Sequence, residues 1–186
     1  MRSIAEACKR GLIRARIALV LSNRADAPGL EFASSENIET IVLPHKAVPV
    51  REEYDRQVVD ILRNKQIDLI CLAGFMRLLS PVLVTAFPNR IMNIHPALLP
   101  SFPGLHAQRQ AVEYGVKITG CTVHFVDEGL DSGPIILQKT LEVRTDDMEE
   151  SLSERLLPLE HATYVEAVRL FFENRLHVEG RKVLIN

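Results

Sequence analysis

The chain of 186 residues has no tryptophan, and aromatic residues make up only 5% of it. That disfavours a platform on which nucleic-acid bases stack. It also lacks an excess of either charge: 22 Lys and Arg stand against 24 Asp and Glu, a formal net charge of -2. The electrostatic footprint of a dedicated nucleic-acid binder is therefore missing. Cysteine is sparse and odd in number. Cys8, Cys71 and Cys121 stand far apart, which suggests neither a disulfide framework nor a zinc pair. They are expected to be small apolar fillers in a reduced, cytoplasmic protein. No apolar run approaches the roughly 18 residues of a membrane helix, so no membrane partner is expected. Arg2, Glu6 and Lys9 interrupt any signal-peptide core. Repeats, low-complexity stretches and linkers are absent as well, so one domain over residues 1–186 is expected.

What is present is the material of a buried core: 47% apolar and 25% charged residues. Short continuous apolar runs alternate with helical patterns. The first twelve residues place Ile4, Ala7, Cys8 and Leu12 at helical spacing, with Gly11 at the C-terminal cap. IALVL, ETIVLP, DLICLA and RIMNIH read as strands buried on both faces. Between them lie a helix with Pro28 near its start, and a helix from Arg51 whose inner stripe is Tyr54, Val58, Ile61 and Leu62. A third helix has Ser80 as N-cap and Pro81 at its first position. HAQRQAVEYG is a further helix, ending at Gly115. GCTVHFV and PIILQKTLEV read as two strands of a less regular edge, joined by DEGLDSG. A long last helix is expected with Asp146 or Asp147 as its cap and a kink or break at Pro158, followed by a single tail strand, RKVLIN. This alternation predicts an α/β, doubly wound, mostly parallel sheet with a long C-terminal helix.

In such sheets the ligand lies beyond the carboxyl ends of the strands. Three stretches fall there: GFMRLLS, NIHPALLPSFPG and DEGLDSG. Asn93 and His95, two apart on a strand, project to one face and need hydrogen-bond partners among apolar neighbours. The acidic turn offers Asp127, Glu128 and Asp131, with Glu142 further off, and periodicity does not choose among them. An amide, an imidazole and a carboxylate in one cleft suit acyl transfer: the amide stabilises an oxyanion and the others manage protons. No Ser or Cys stands in a nucleophile-elbow context, which disfavours a covalent acyl-enzyme. No metal is expected, since His95, His106 and His124 lack metal-ligand spacing. His124 either bonds locally within its strand or supports the candidate site from behind. Arg51 and Arg77 are surface arginines or clamps for a carboxylate ligand.

The run LAGFMRLLSP, followed by NIHPALLPSFPGLHAQRQAVEYGVKITGCTVHFVDEGLDSGPIILQ, resembles the folate-dependent formyltransferase superfamily. Within it, the wording HPALLPSFPGLH is closest to the phosphoribosylglycinamide formyltransferases. The likeness runs from Met1 to near the C-terminus. It implies a Rossmann-like formyltransferase fold and transfer of a formyl group from 10-formyltetrahydrofolate, the co-substrate, to the amine of glycinamide ribonucleotide in purine biosynthesis. It implies direct attack with no enzyme-bound formyl and no metal, by a monomer or homodimer. By the same likeness Asn93, His95 and Asp131 match the catalytic trio. Gly74, Phe75, Met76, Arg77, Leu78 and Leu79 match the pteridine wall, together with Asn93. Arg77 and Arg51 match positions that meet the folate carboxylates. His95, Pro96 and Glu160 match the nucleotide side, Glu160 at the ribose hydroxyls, and the loop from Pro96 to Val116 matches a mobile segment.

The chain departs from the family pattern at its start. Met1-Arg2-Ser3 falls within what is normally the first helix, so the family's first central strand and phosphate loop are missing from this sequence. A gap between neighbouring strands and a loosely held first helix are expected to follow. A miscalled start, a truncated form and a relative whose acceptor carries no phosphate there are the three readings of this departure. A formyltransferase acting on another amine, or a folate-binding protein without catalysis, is the alternative function.

Overall fold

The computed structural model describes residues 1–186. The elements are α1 (Arg2–Lys9), β1 (Val20–Ser22), α2 (Pro28–Ser35), β2 (Thr40–Val42), α3 (Arg51–Asn64), β3 (Ile70–Cys71) and α4 (Pro81–Ala86). They continue as β4 (Ile91–His95), α5 (Ala107–Tyr114), β5 (Ile118–Phe125), β6 (Ile135–Glu142), α6 (Glu149–Phe172), β7 (Leu176–Glu179) and β8 (Lys182–Ile185). A short 3-10 turn covers His45–Ala47.

The strands form two sheets. β1 and β2 pair in parallel, and the second sheet has the order β3-β4-β5-β6-β8-β7. β3–β4 and β6–β8 are parallel, whereas β4–β5, β5–β6 and β7–β8 are antiparallel. Helices cover both faces, which is the expected doubly wound arrangement. On one face α1 and α6 bury Ile4, Ala7, Tyr164, Ala167 and Val168 against Met92, Val123 and Phe125. On the other, α3 and α4 bury Tyr54, Val58, Val59, Leu62, Leu83 and Phe87 against Ile91. Each such large side chain contributes about 1.5–3 kcal/mol relative to exposure. Leu21 of β1 with the adjoining Leu19, and Ile70 of β3 with the adjoining Leu72, pack on this second core, so the two sheets share it without pairing.

The break between β1 and β3 is the gap expected in the sheet. The loose first helix is not found: Ile4 and Ala7 are buried, because α1 lies against α6. The strands of residues 118–142 are not an edge either. β5 lies between β4 and β6, and all but its first residue is buried. The stripe of α3 includes Val59, while Ile61 is half-buried. The hydroxyl of Ser80 makes no capping bond. α6 starts after Met148, and Asp147 instead accepts from the Arg144 N–H and the Ser151 hydroxyl. Pro158 neither ends nor breaks α6. The carbonyl it deprives belongs to exposed Glu154, where water can satisfy it, and the buried Leu152, Leu156, Thr163 and Tyr164 hold the helix down on either side. The tail holds two strands, a hairpin turning at Gly180, whose φ of 58° suits glycine.

Candidate active site

β4 delivers Asn93 and His95 to one face at its carboxyl end, and the turn between β5 and β6 brings Asp131 to meet them. His95 Nδ1 lies 3.4 Å from Asp131 Oδ2, and His95 Nε2 lies 2.7 Å from the carbonyl oxygen of Phe102. The backbone N–H of Gly104 donates to Asp131 Oδ2 at 2.8 Å. Of the acidic candidates, Asp131 is the one placed at the imidazole. Asp127 turns back on its own loop, accepting from the Gly129 N–H and the Ser132 hydroxyl. Asp131 adopts a φ of 49°, uncommon for a residue with a Cβ and most tolerable for Asp and Asn. His95 and the Asp131 side chain are both largely removed from water.

His124, fully buried on β5, faces Asn93 across the β4–β5 pairing. Its Nδ1 lies 2.8 Å from the Phe125 carbonyl, which can only accept, so Nδ1 carries the hydrogen. Burial pushes the imidazole below its usual value, against the weaker opposing pull of the Phe125 carbonyl and the Asp131 carboxylate. The neutral ring therefore presents the Nε2 lone pair, and Asn93 Nδ2 donates to it at 3.4 Å. That contact sets which end of the Asn93 amide is the donor and leaves its second N–H for another acceptor.

A second group gathers at the N-terminus of α3. The guanidinium of Arg77 stacks over the Tyr54 ring at 4.7 Å, and its Nη1 is buried with no hydrogen-bond partner. Arg51, the first residue of α3, lies one turn before Tyr54 and reaches only its neighbour Glu52, at 3.5 Å. In the Gly74–Leu79 stretch Phe75 packs on the core beneath and Leu79 is buried. Met76 and Leu78 stand out into solvent, Met76 by 77%. Pro96 is half-buried at the root of the loop leaving β4. Glu160 lies half-buried on α6, and burial alone, with no donor or cation to offset it, pushes its carboxyl up to about 7.

Sequence reasoning misses Phe102, Gly104, Tyr54 and Asp55, the last buried on α3 and accepting the Ser80 N–H at the end of the Gly74–Leu79 stretch. The first two act through backbone atoms, which no side-chain pattern reveals. Tyr54 reads as core, which it is, with its ring face also serving Arg77. No group of three or more His, Cys, Asp or Glu side chains is placed to hold a metal ion, and no helix is long and apolar enough to cross a membrane.

Residues 1–168 match the family model described as Formyl transferase. The phosphoribosylglycinamide formyltransferase of Escherichia coli (strain K12) is 43% identical over 176 residues, covering 95% of this chain and 83% of that protein. The trifunctional purine biosynthetic protein adenosine-3 of Drosophila melanogaster is 46% identical over 158 residues. That is 85% of this chain, but the chain spans only 12% of that longer protein. Among solved structures, glycinamide ribonucleotide transformylase 1 from Symbiobacterium toebii matches with a TM-score of 0.97 at 51% identity. The match covers 99% of this chain and 87% of that one.

Proposed function

Because the chain belongs to the formyl transferase family, we propose that its residues 1–186 act as one domain that formylates the amine of glycinamide ribonucleotide, with 10-formyltetrahydrofolate as donor. The working unit is a monomer or homodimer in the cytoplasm, and its substrates are small molecules. The observation that carries this reading is the meeting of Asn93, His95 and Asp131, drawn from separate stretches, with the Asn93 amide oriented by a neutral His124.

In this reading the substrate amine attacks the formyl carbon directly. The new N–C bond forms, the bond from the formyl carbon to the folate nitrogen breaks, and the proton lost by the amine ends on that leaving nitrogen. The free N–H of Asn93 donates to the oxyanion that develops on the formyl oxygen. His95 and Asp131 hold and move the proton. The folate tail fits the second group: an unpartnered, buried guanidinium nitrogen on Arg77 and the nearby Arg51 suit its carboxylates, and exposed Met76 and Leu78 offer an apolar wall. Glu160, lacking any partner, is suited to sugar hydroxyls. Pro96 and His95 border the nucleotide side.

The test is a transfer assay on this chain with 10-formyltetrahydrofolate, with and without glycinamide ribonucleotide, following free folate and formylated acceptor together. Acceptor-dependent release of both products in equal amounts is expected. Folate release without the acceptor would make water the acceptor and sink the proposal. Folate binding with no release would instead assign a binding role.

A further inference from the structure

We infer that Phe102 is a positioning residue, whose backbone carbonyl holds the Nε2–H of His95 and thereby makes Nδ1 the nitrogen that exchanges a proton at the reacting centre. The assignment of the working nitrogen rests on the formyl-transfer reading above; the hydrogen-bond logic stands without it. A carbonyl oxygen only accepts, so at 2.7 Å from it His95 Nε2 is a donor whether the ring is neutral or charged. The one ring atom left to gain or lose a proton is Nδ1, which faces Asp131 Oδ2 at 3.4 Å. The His95 side chain is 5% exposed, so bulk water offers no competing partner. The other titratable group turned toward this pair is His124, whose Nε2 lies 3.8 Å from Asp131 Oδ1.

One short loop therefore sets both members of the pair. Phe102 fixes the ring from behind, and Gly104, two residues on, fixes the same Asp131 oxygen that faces Nδ1. The loop holds its shape at a cost. Phe102 has a φ of 54°, a left-handed backbone that a residue with a Cβ rarely adopts. Its ring is held edge-on against Tyr114, at a centroid distance of 5.9 Å. A strained residue whose carbonyl ends on a candidate catalytic imidazole fits the pattern of strain kept at functional sites. In the neutral ring the Nδ1 lone pair takes the proton that the attacking amine gives up, with the Asp131 carboxylate beside it. The charged ring then returns that proton toward the leaving folate nitrogen, with no net gain or loss.

The experiment is long-range proton–nitrogen NMR of the 15N-labelled chain across pH, without substrate, with the His95 signals assigned by their loss in His95→Gln. A protonated Nε2 and a bare Nδ1 in the neutral ring are expected. The opposite tautomer, or an average of the two, overturns the inference. Phe102→Gly keeps access to positive φ and should keep the signature. Phe102→Pro cannot, since its ring fixes φ near −65°. The Phe102 N–H makes no backbone hydrogen bond, so proline costs none there. In F102P the Nε2–H signature should be lost and the pH–rate profile displaced. Its kcat should fall about tenfold to a hundredfold with KM little changed. An F102P chain with wild-type tautomer and profile also overturns the inference. A wild-type chain that transfers no formyl would remove the functional reading while leaving the tautomer measurement decisive for its own part.

Discussion

Replacing Asn93 separates chemistry from binding. Asn93→Asp deletes the amide N–H offered to the oxyanion and turns a carboxylate toward the neutral Nε2 of His124. Loss of such a donor costs about 2.7–4 kcal/mol, or roughly 10²–10³ in rate. Single-turnover rates should fall by that factor while folate affinity, read by titration, largely survives. An affinity that falls in step with turnover would assign Asn93 to donor binding instead. Glu160 gives a prediction on stability. Its carboxyl is raised from 4.5 to about 7 by burial, so between those values the native chain keeps a proton that the unfolded chain has released. The stability linked to this group is therefore fully present below pH 4.5 and is lost as pH rises through about 7. The loss is at most about 3 kcal/mol before solvent screening reduces it. Urea unfolding at several pH values should show that decline in the wild type and a flatter profile in Glu160→Gln. Parallel profiles would mean that the carboxyl is not held neutral. At this scale the sequence marked Asn93 and His95 by their shared strand face. Periodicity left Asp131 among four acids and only the family resemblance singled it out, because which turn residue meets an imidazole depends on a fold that brings distant segments together.

A helix can be capped by a neighbour rather than by its own first residue, and α4 is the case here. Ser80 was legible as a cap from its place before Pro81, yet its hydroxyl is buried and unpartnered. Asp55, buried on α3, accepts the Ser80 N–H at 2.6 Å instead. This bond ties α3 to the end of the Gly74–Leu79 stretch. Asp55→Ala should leave a buried N–H unpaired, at a cost of about 1–3 kcal/mol in denaturant unfolding. It should also raise KM for the formyl donor more than it lowers kcat, because the wall of the proposed folate site loses its anchor. Asp55→Asn, which keeps an acceptor oxygen, should recover most of both. A normal donor KM in a destabilised Asp55→Ala would show that other contacts hold the stretch. The sequence places Ser80 at the N-cap and Pro81 at the first helical position, as they stand in the structure; what it does not show is the bonding partner, which lies 25 residues away, beyond any local signal. The hairpin strand β7 was missed for a related reason: LHVE is short, half polar and gains its pairing only from β8.

The alternation of strands and helices in the chain was enough to announce the fold class, but not which strands pair. IALVL and DLICLA read as strands buried on both faces; β1 and β3 are in fact half-buried, since each pairs on one side only. The consequence is a molecule of unequal stability. β1 and β2 have three residues each and form a sheet of two strands, an arrangement marginal by itself and kept here by the core under α3. β5 has eight residues, pairs on both sides and is buried along nearly its whole length. Asn93, His95, His124 and Asp131 all belong to that second region or to the turn leaving it. Opening free energies differ between such regions, so native-state amide exchange should be faster in Val20–Ser22 and Thr40–Val42 than at Val123 and Phe125. A factor of about a hundred or more is expected, equivalent to roughly 3 kcal/mol less opening free energy. The same low urea concentrations that speed exchange in β1 and β2 should leave the β4–β5 amides protected, and with them the geometry of the trio. Equal protection across both sheets would mean that their shared core makes them open as one unit, and that the missing pairing between β1 and β3 costs the molecule nothing in cooperativity.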